Sequence, residues 1–327
     1  MKANRDFSLD ILRAFACIMV MGVHLGQHID IPGVLGIFFE KGSTGVSFFF
    51  ILSGYLSYNS LEKVNNNSFR KNAVEYWIRR AIHILPLYYI VILFYFLFYT
   101  IGNAVPKDVT GLYWIRYILL LNRWVPTEIE FWSNLGAVWS ISVFVLFYLI
   151  VPFYHVFVKK YYQAWIGTIV TFIIFKSMND LYFEKAPIRY MFYFFLGILI
   201  YIAIKEKREA ELAAIFAAIL IFCILTGKGE ILNAPLLAGM YIIATSGRKI
   251  GISEHNVIYK IISGISMISY SLYLDHALVV SLLDFFEVTN NIVFGICFVV
   301  LSFLLAVFTY CYVEKTMSKV LKDRLLG

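Results

Sequence analysis

An arginine and a histidine lie within the first apolar stretch of the sequence, which runs from Ser8 to His28. Arg13 and His24 are eleven residues apart. A helix would therefore place them on nearly the same face, about 16 Å apart along its axis. A guanidinium binds phosphate groups, and an imidazole can take a proton from a hydroxyl near neutral pH. The pair predicts a phosphate-bearing donor near Arg13 and hydroxyl activation near His24.

A structural interpretation of the same residues stays open. Asp10 can pair with Arg13 at i,i+3, and His24 can form a hydrogen bond between helices. His24 and His28, at i,i+4, could also share a zinc ion. No HExxH pattern or further ligand cluster accompanies them, so we predict no metal site.

Two further segments carry candidate binding residues. The basic cluster Arg79, Arg80 and His83 precedes an apolar stretch, where such clusters bind anionic lipid or set orientation. Binding the phosphates of a soluble donor is the second interpretation. Ser53 and Gly54, in the second apolar stretch, are small enough to let another helix or a ligand approach closely.

Three ionisable residues lie in or beside the last two apolar stretches: Asp275, His276 and Glu314. Asp275 and His276 are adjacent within an apolar stretch, where an ionisable group is costly without a partner. Neighbouring residues point to different faces of a helix, so these two need not pair with each other. Glu314 ends the last apolar stretch and is expected at the membrane interface.

The composition explains why a membrane must position these residues. Of 327 residues, 61% are hydrophobic and 15% are charged, whereas soluble domains are about half apolar and a quarter charged. We predict about ten transmembrane helices in one all-α polytopic membrane domain of residues 1–327. The predicted spans are Ser8–His28, Ser43–Tyr58, Ile82–Ile101, Leu135–Phe157, Ala164–Ser177, Ile188–Ile204, Leu212–Thr226, Ile231–Thr245, Ile261–Leu283 and Ile292–Val313.

The distribution of positive charge predicts the orientation. With a cytoplasmic N-terminus, most Lys and Arg residues outside the apolar stretches fall on the cytoplasmic side, as the positive-inside rule requires. An even number of spans then places both termini in the cytoplasm, and the first stretch is expected to be retained as a helix. The net charge of +7 is thus topological, and no nucleic-acid partner is predicted. The opposite side carries only Lys41, Lys107, Arg116, Arg123, Lys185 and Lys228.

Taken in order, several segments resemble the membrane acyltransferase-3 family. No single segment is specific, but the ordered set extends from the first predicted helix to the last. The matching segments are Leu9–Ala16 with His24, Phe48–Tyr55, Arg79-Arg80 before Leu85–Tyr88, Trp139–Ser142, Ser269–His276 and Val313–Lys315.

The resemblance implies a ten-helix fold in the inner membrane of a bacterium. It also implies transfer of an acyl group, usually acetyl from acetyl-CoA, to a sugar hydroxyl of an envelope glycan or a lipid-linked glycan. Acetyl-CoA is then a co-substrate, and no tightly bound cofactor is expected. By the same resemblance, Arg13 and His24 are the catalytic pair. The residues expected to bind the donor are Arg79, Arg80 and Ser53. The residues expected to support the site are Asp10, Tyr270, Asp275 and His276.

One position departs from the family pattern. Many members have a glutamate after the Trp-Ser-Leu-Ser segment, where this sequence has Phe144 followed by Val145. Either Asp275 supplies the carboxylate instead, or none is needed. The alternative function is a transporter or flippase for a lipid-linked glycan or an acyl group. The sequence contains no clear pair of inverted repeats with interrupted helices, which many transporters carry.

Overall fold

The protein is built from α-helices. The computed structural model describes residues 6–64, 68–101, 111–121, 138–178, 186–248 and 250–326, and this part of the chain contains no β-strand. Its α-helices are α1 (Phe7–Gly26), α2 (Gly33–Glu40), α3 (Thr44–Glu62), α4 (Phe69–Ile101), α5 (Gly111–Ile118), α6 (Trp139–Phe157), α7 (Tyr161–Ser177), α8 (Met191–Lys205), α9 (Glu209–Thr226), α10 (Asn233–Thr245), α11 (Val257–Met267), α12 (Ser269–Phe285), α13 (Asn291–Thr309) and α14 (Thr316–Leu325). A π-helix, Tyr310–Lys315, joins α13 to α14.

Helix length and hydropathy confirm a polytopic membrane protein. Within the described residues, six helical segments are long and apolar enough to cross a membrane, and two bent helix pairs raise the number to eight. Each predicted span overlaps a helix, although residues 135–137 of the fourth lie outside the described residues. The helices α7 and α10 are shorter than this test requires. Ten crossings therefore stay a prediction.

The predicted span Ile261–Leu283 is not one straight helix, because the helix breaks at Ile268. The two parts, α11 and α12, are bent by 69°. Ser266 donates a hydrogen bond to Asp10 of α1 at 2.6 Å, and Ser271 donates one to Glu314 at 3.0 Å. Hydroxyl groups on either side of the break are thus bonded to different helices, which favours a kink. Hydropathy alone does not detect this break.

Two other helices differ from the sequence prediction. The short helix α2 was not predicted, and it is bent by 53° from α3. The helix α4 begins at Phe69, well before the predicted start at Ile82. Hydropathy locates the apolar part of a helix, whereas α4 continues through a charged segment that includes Arg79 and Arg80. The candidate donor-binding arginines consequently lie on a helix rather than in a loop.

The contact between α3 and α8 lies at the centre of the bundle. A Cβ atom at Gly54 of α3 would overlap the backbone of Phe194 in α8, and one at Gly197 would overlap the backbone of Ile51. Small residues permit such close approach between membrane helices. This contact fixes the segment of α3 that carries Ser53.

A proline positions α4 against α6. Pro152 lies inside α6, and its missing N–H leaves the carbonyl of Tyr148 without its usual helical partner. The indole N–H of Trp77 in α4 donates to that carbonyl at 2.8 Å. The hydrogen bond joins the two helices beside Arg80, whose guanidinium lies over the ring of Tyr148.

We expect Gly54→Ala to destabilise the protein by about 1–3 kcal/mol, because the added methyl group must push α3 away from α8. The matched control is Gly264→Ala in α11, where a Cβ atom meets no other atom within 4 Å. Alanine there should be neutral or slightly stabilising, since it favours the helix. The measurement is the temperature at which detergent-solubilised protein loses its monodisperse peak. Equal temperatures for the two variants would contradict the close contact.

Candidate active site

A cavity of about 310 Å³ lies between α1, α3, α4, α6, α11, α12 and the π-helix. We call it the central cavity. Four residues that the sequence singled out line it together: Arg13, Ser53, Arg80 and Tyr270. These residues are distant in the sequence, and the packing of four helices brings them to one site.

Arg13 is held at the cavity wall by groups on α1 and α11. Its side chain donates to the hydroxyl of Ser266 at 3.3 Å and lies 3.7 Å from the carboxylate of Asp10. Ser266 in turn donates to Asp10 at 2.6 Å. Asp10 is buried, whereas 27% of the Arg13 side chain is exposed. The guanidinium is therefore both oriented by its neighbours and open to the cavity.

The two adjacent arginines of α4 occupy different environments. Arg80 lines the central cavity, and its guanidinium lies 5.1 Å from the ring centroids of both Tyr76 and Tyr148. Arg79 is exposed and forms an ion pair with Glu75 at 2.5 Å. Successive helical residues point about 100° apart, which explains the difference. Arg80 is thus the member of the pair that faces the same space as Arg13.

Tyr270 closes the cavity beside α4. Its hydroxyl donates to the carbonyl of Ile84 at 2.7 Å, and its ring centroid lies 5.5 Å from that of His83. Because this hydroxyl is committed to the backbone of α4, Tyr270 contributes to the shape of the wall and to the contact between α12 and α4.

The carboxylate of the central cavity belongs to Glu314, which the sequence predicts at the membrane interface. Whatever its depth in the membrane, the side chain is buried within the protein, with 6% of the residue exposed. Its oxygens accept from Ser271 at 3.0 Å and lie 3.3 Å from the Nδ1 atom of His83. Glu314 lies in the π-helix, a geometry that often occurs at functional sites. Phe144 lines the same cavity.

Asp275 lies outside the lining of the central cavity. It is fully buried and accepts a hydrogen bond from Thr309 of α13 at 2.5 Å. It is not among the residues that line the central cavity, whereas Glu314 is. Of these two acidic residues, Glu314 is therefore the one that shares the central cavity with Phe144.

His24 lies toward the opposite end of α1 from Arg13, outside the lining of the central cavity. Its Nδ1 atom is 3.0 Å from the Oε1 atom of Gln27. With the Gln27 amide oxygen toward the ring, Nδ1 is the donor of this contact, and a neutral imidazole then has its lone pair on Nε2. A neutral imidazole in this tautomer can act as a base through Nε2.

His276 packs against His24, with ring centroids 5.0 Å apart. The Nδ1 atom of His276 is 3.1 Å from the carbonyl of Leu272 and donates to it. Its Nε2 atom is buried and has no hydrogen-bond partner among the described residues. Tyr273 lines the central cavity and places its ring 5.9 Å from that of His276. A chain of ring contacts thus runs from Tyr273, at the cavity wall, through His276 to His24.

Comparison with known families identifies the chain. The family model described as an acyltransferase domain, Acyl_transf_3, matches residues 6–311. The chain belongs to the acyltransferase-3 family. The match includes every candidate site residue on α1, α3, α4 and α12.

Two curated relatives are similar to parts of this family member. YrhL of Bacillus subtilis (strain 168), provisionally named a peptidoglycan O-acetyltransferase, is 27% identical over 159 residues, which are 45% of this chain and 23% of that protein. The peptidoglycan O-acetyltransferase OatA of Listeria monocytogenes serovar 1/2a (strain ATCC BAA-679 / EGD-e) is 29% identical over 163 residues, 46% of this chain and 24% of that protein. The aligned region thus spans about a quarter of either relative. No solved structure matches the chain.

Two residues that contribute to the site were not proposed from the sequence. Gln27 carries no signal in the sequence alone, because its importance comes from its contact with His24. The Val313–Lys315 segment did mark Glu314, but an apolar pattern cannot show that a π-turn directs the side chain inward. Among the described residues, no group of three or more His, Cys, Asp or Glu side chains could hold a metal ion. A metal-free site stays a prediction.

Proposed function

We propose that this protein transfers an acetyl group from acetyl-CoA to a hydroxyl group of a cell-envelope glycan. The observation that carries the proposal is the distribution of groups along α1. Two arginines, Arg13 and Arg80, face one cavity at one end of the helix, and His24 with a free Nε2 lies about three turns away. Family membership and the names of the two relatives support the same chemistry.

The donor occupies the central cavity from the side of Arg80. The guanidinium of Arg80, held between two tyrosine rings, binds phosphate oxygens of the coenzyme. Arg13 lies deeper and orients the donor, while the thioester end extends toward His24. The thioester passes from the central cavity toward His24 along the rings of Tyr273 and His276. These rings either form the wall of that passage or move aside to open it.

His24 activates the acceptor. Its Nε2 atom removes the proton from a sugar hydroxyl as the hydroxyl oxygen attacks the thioester carbonyl. The carbon–sulfur bond breaks, the acetyl ester forms, and the proton passes from His24 to the coenzyme thiolate. Gln27 keeps the ring in the tautomer that this step needs, and His276 restricts its orientation.

The proposal includes a membrane arrangement. Ten spans with both termini in the cytoplasm would place the basic residues of α4 and α14 on the side where acetyl-CoA is made. His24 would lie toward the outer side of a bacterial inner membrane, where the glycan is located. The acceptor is an envelope glycan such as O-antigen, capsule, exopolysaccharide or, as the names of the relatives indicate, peptidoglycan.

A deletion strain tests the proposal. Mass spectrometry of its purified envelope glycans should show loss of ester-linked acetyl groups, and a plasmid copy of the gene should restore them. Unchanged acetylation together with a reduced amount of surface glycan would contradict the proposal and indicate transport.

Arg80→Ala should raise the apparent KM for acetyl-CoA about tenfold with a smaller change in kcat, because a charge-assisted contact to phosphate is lost. Arg70→Ala is the matched control, since Arg70 is exposed near the start of α4 and lines none of the cavities around Arg80. It should change KM much less. Steady-state kinetics on membranes with equal amounts of each variant provide the measurement. Equal effects of the two substitutions would contradict the separate roles.

A further inference from the structure

Two further cavities share lining residues of α4 with the central cavity. One, of about 400 Å³, lies between α4, the π-helix and α14, and we call it the α14 cavity. The other, of about 240 Å³, lies between α3, α4 and α14. His83 lines all three, and Lys322 lines the two further ones. The three spaces therefore lie next to one another along a path that passes His83 and Arg80.

The α14 cavity is predominantly basic. Lys315, Lys319 and Lys322 all line it, and their i, i+4, i+7 spacing places them on one helical face. Within the described part of the chain, none of the three forms an ion pair. Asp323 is the exposed acidic residue of the lining, while Glu314 is buried and bound to other side chains. The cavity thus offers several unneutralised ammonium groups to one ligand.

A proline fixes α14 beside this path. Pro86 inside α4 has no N–H, so the carbonyl of Ile82 lacks its helical partner. The hydroxyl of Ser318 in α14 lies 3.5 Å from that carbonyl and donates to it. The π-helix also continues directly into α14. The lysines are therefore presented by a docked helix rather than by a free tail.

We propose that the α14 cavity is a subsite for the phosphate groups of the donor, bound by Lys319 and Lys322. The inference rests on the proposed function and adds residues and a location to it. Anionic lipid headgroups carry the same phosphate chemistry. The lining residues shared with the central cavity favour the soluble donor, because one molecule that spans both spaces contacts Lys322 and Arg80 while its thioester end reaches farther in. A donor without phosphates would gain nothing from this subsite.

Equilibrium binding of coenzyme A to purified protein in nanodiscs tests the subsite without requiring transfer. The double variant Lys319→Ala/Lys322→Ala should weaken binding of coenzyme A about tenfold in neutral-lipid nanodiscs, and the loss should shrink at high salt. Binding of pantetheine, which lacks the phosphates, should stay unchanged. Lys319→Arg/Lys322→Arg should retain most of the affinity. Arg324→Ala, on the same helix but outside both cavities, is the matched control and should bind as the wild type does.

Two results for the double alanine variant would overturn the subsite. Unchanged affinity for coenzyme A in the double alanine variant would do so, as would an equal loss for pantetheine. A normal affinity for coenzyme A combined with loss of co-purified anionic lipid would assign the lysines to lipid. Lysine-dependent binding by a wild-type protein that acetylates no glycan would leave the subsite standing and overturn the proposed function instead.

Discussion

We expect His24→Ala to lower O-acetylation on the order of a thousandfold, while the protein still inserts and purifies as the wild type does. The loss follows from the role of Nε2 as the base, since general-base catalysis contributes about 10²- to 10⁴-fold. Stability should change little, because the side chain of His24 is only partly buried and its hydrogen bond with Gln27 lies at the end of α1. Acetyl groups released from the glycan by mild base provide the measurement.

His28→Ala is the matched control for His24. His28 lies one turn farther along the chain, 3.3 Å from a carboxylate oxygen of Asp284, with its ring stacked on Phe294. It should retain acetylation within a fewfold of wild type. If His24→Ala keeps comparable activity, the imidazole is not the base, and the packing of His24 against His276 is structural.

Arg13→Ala should lower kcat/KM for acetyl-CoA by about a hundredfold, because the cavity then lacks the guanidinium that orients the donor. A second effect accompanies the first. Asp10 is buried beside Arg13, and removing one partner of a buried pair costs about 3–5 kcal/mol. The single variant therefore cannot separate catalysis from stability. Arg13→Lys should retain part of the activity, since it keeps the charge but loses the fork of donors.

The double variant Asp10→Asn/Arg13→Ala separates these effects. Neutralising Asp10 removes the unpaired charge, and the amide can still accept the hydrogen bond from Ser266. We expect wild-type thermal stability with transfer still reduced about a hundredfold, because the donor still lacks Arg13. Recovery of activity in the double variant would show that Arg13 acts only as the structural partner of Asp10.

The sequence predicts the membrane helices because apolar length is a local property. Each stretch long enough to cross a bilayer coincides with a helix where the chain is described. The face shared by Arg13 and His24 also follows from helical spacing alone. The break at Ile268 does not, since it depends on hydroxyl groups that bond to helices distant in the sequence. The spacing of apolar residues along the chain carries no information about such contacts.

The composition of the site was only partly predictable for the same reason. Arg13, Ser53, Arg80 and Tyr270 come together as lining residues, but the sequence treats Arg79 and Arg80 as equivalent. The orientation of α4 distinguishes them, and that orientation depends on the hydrogen bond between Trp77 and the carbonyl freed by Pro152. Whether a passage joins the central cavity to His24 stays a prediction.

Acetyl transfer across the membrane is tested most directly with purified protein in liposomes that enclose acetyl-CoA carrying a radiolabelled acetyl group. A soluble fragment of the envelope glycan is supplied outside. Label should appear on the glycan as a base-labile ester with the wild-type protein and should be absent with His24→Ala. Label that stays inside with every acceptor tested, or equal labelling of the glycan by the two proteins, would contradict acetyl transfer through His24.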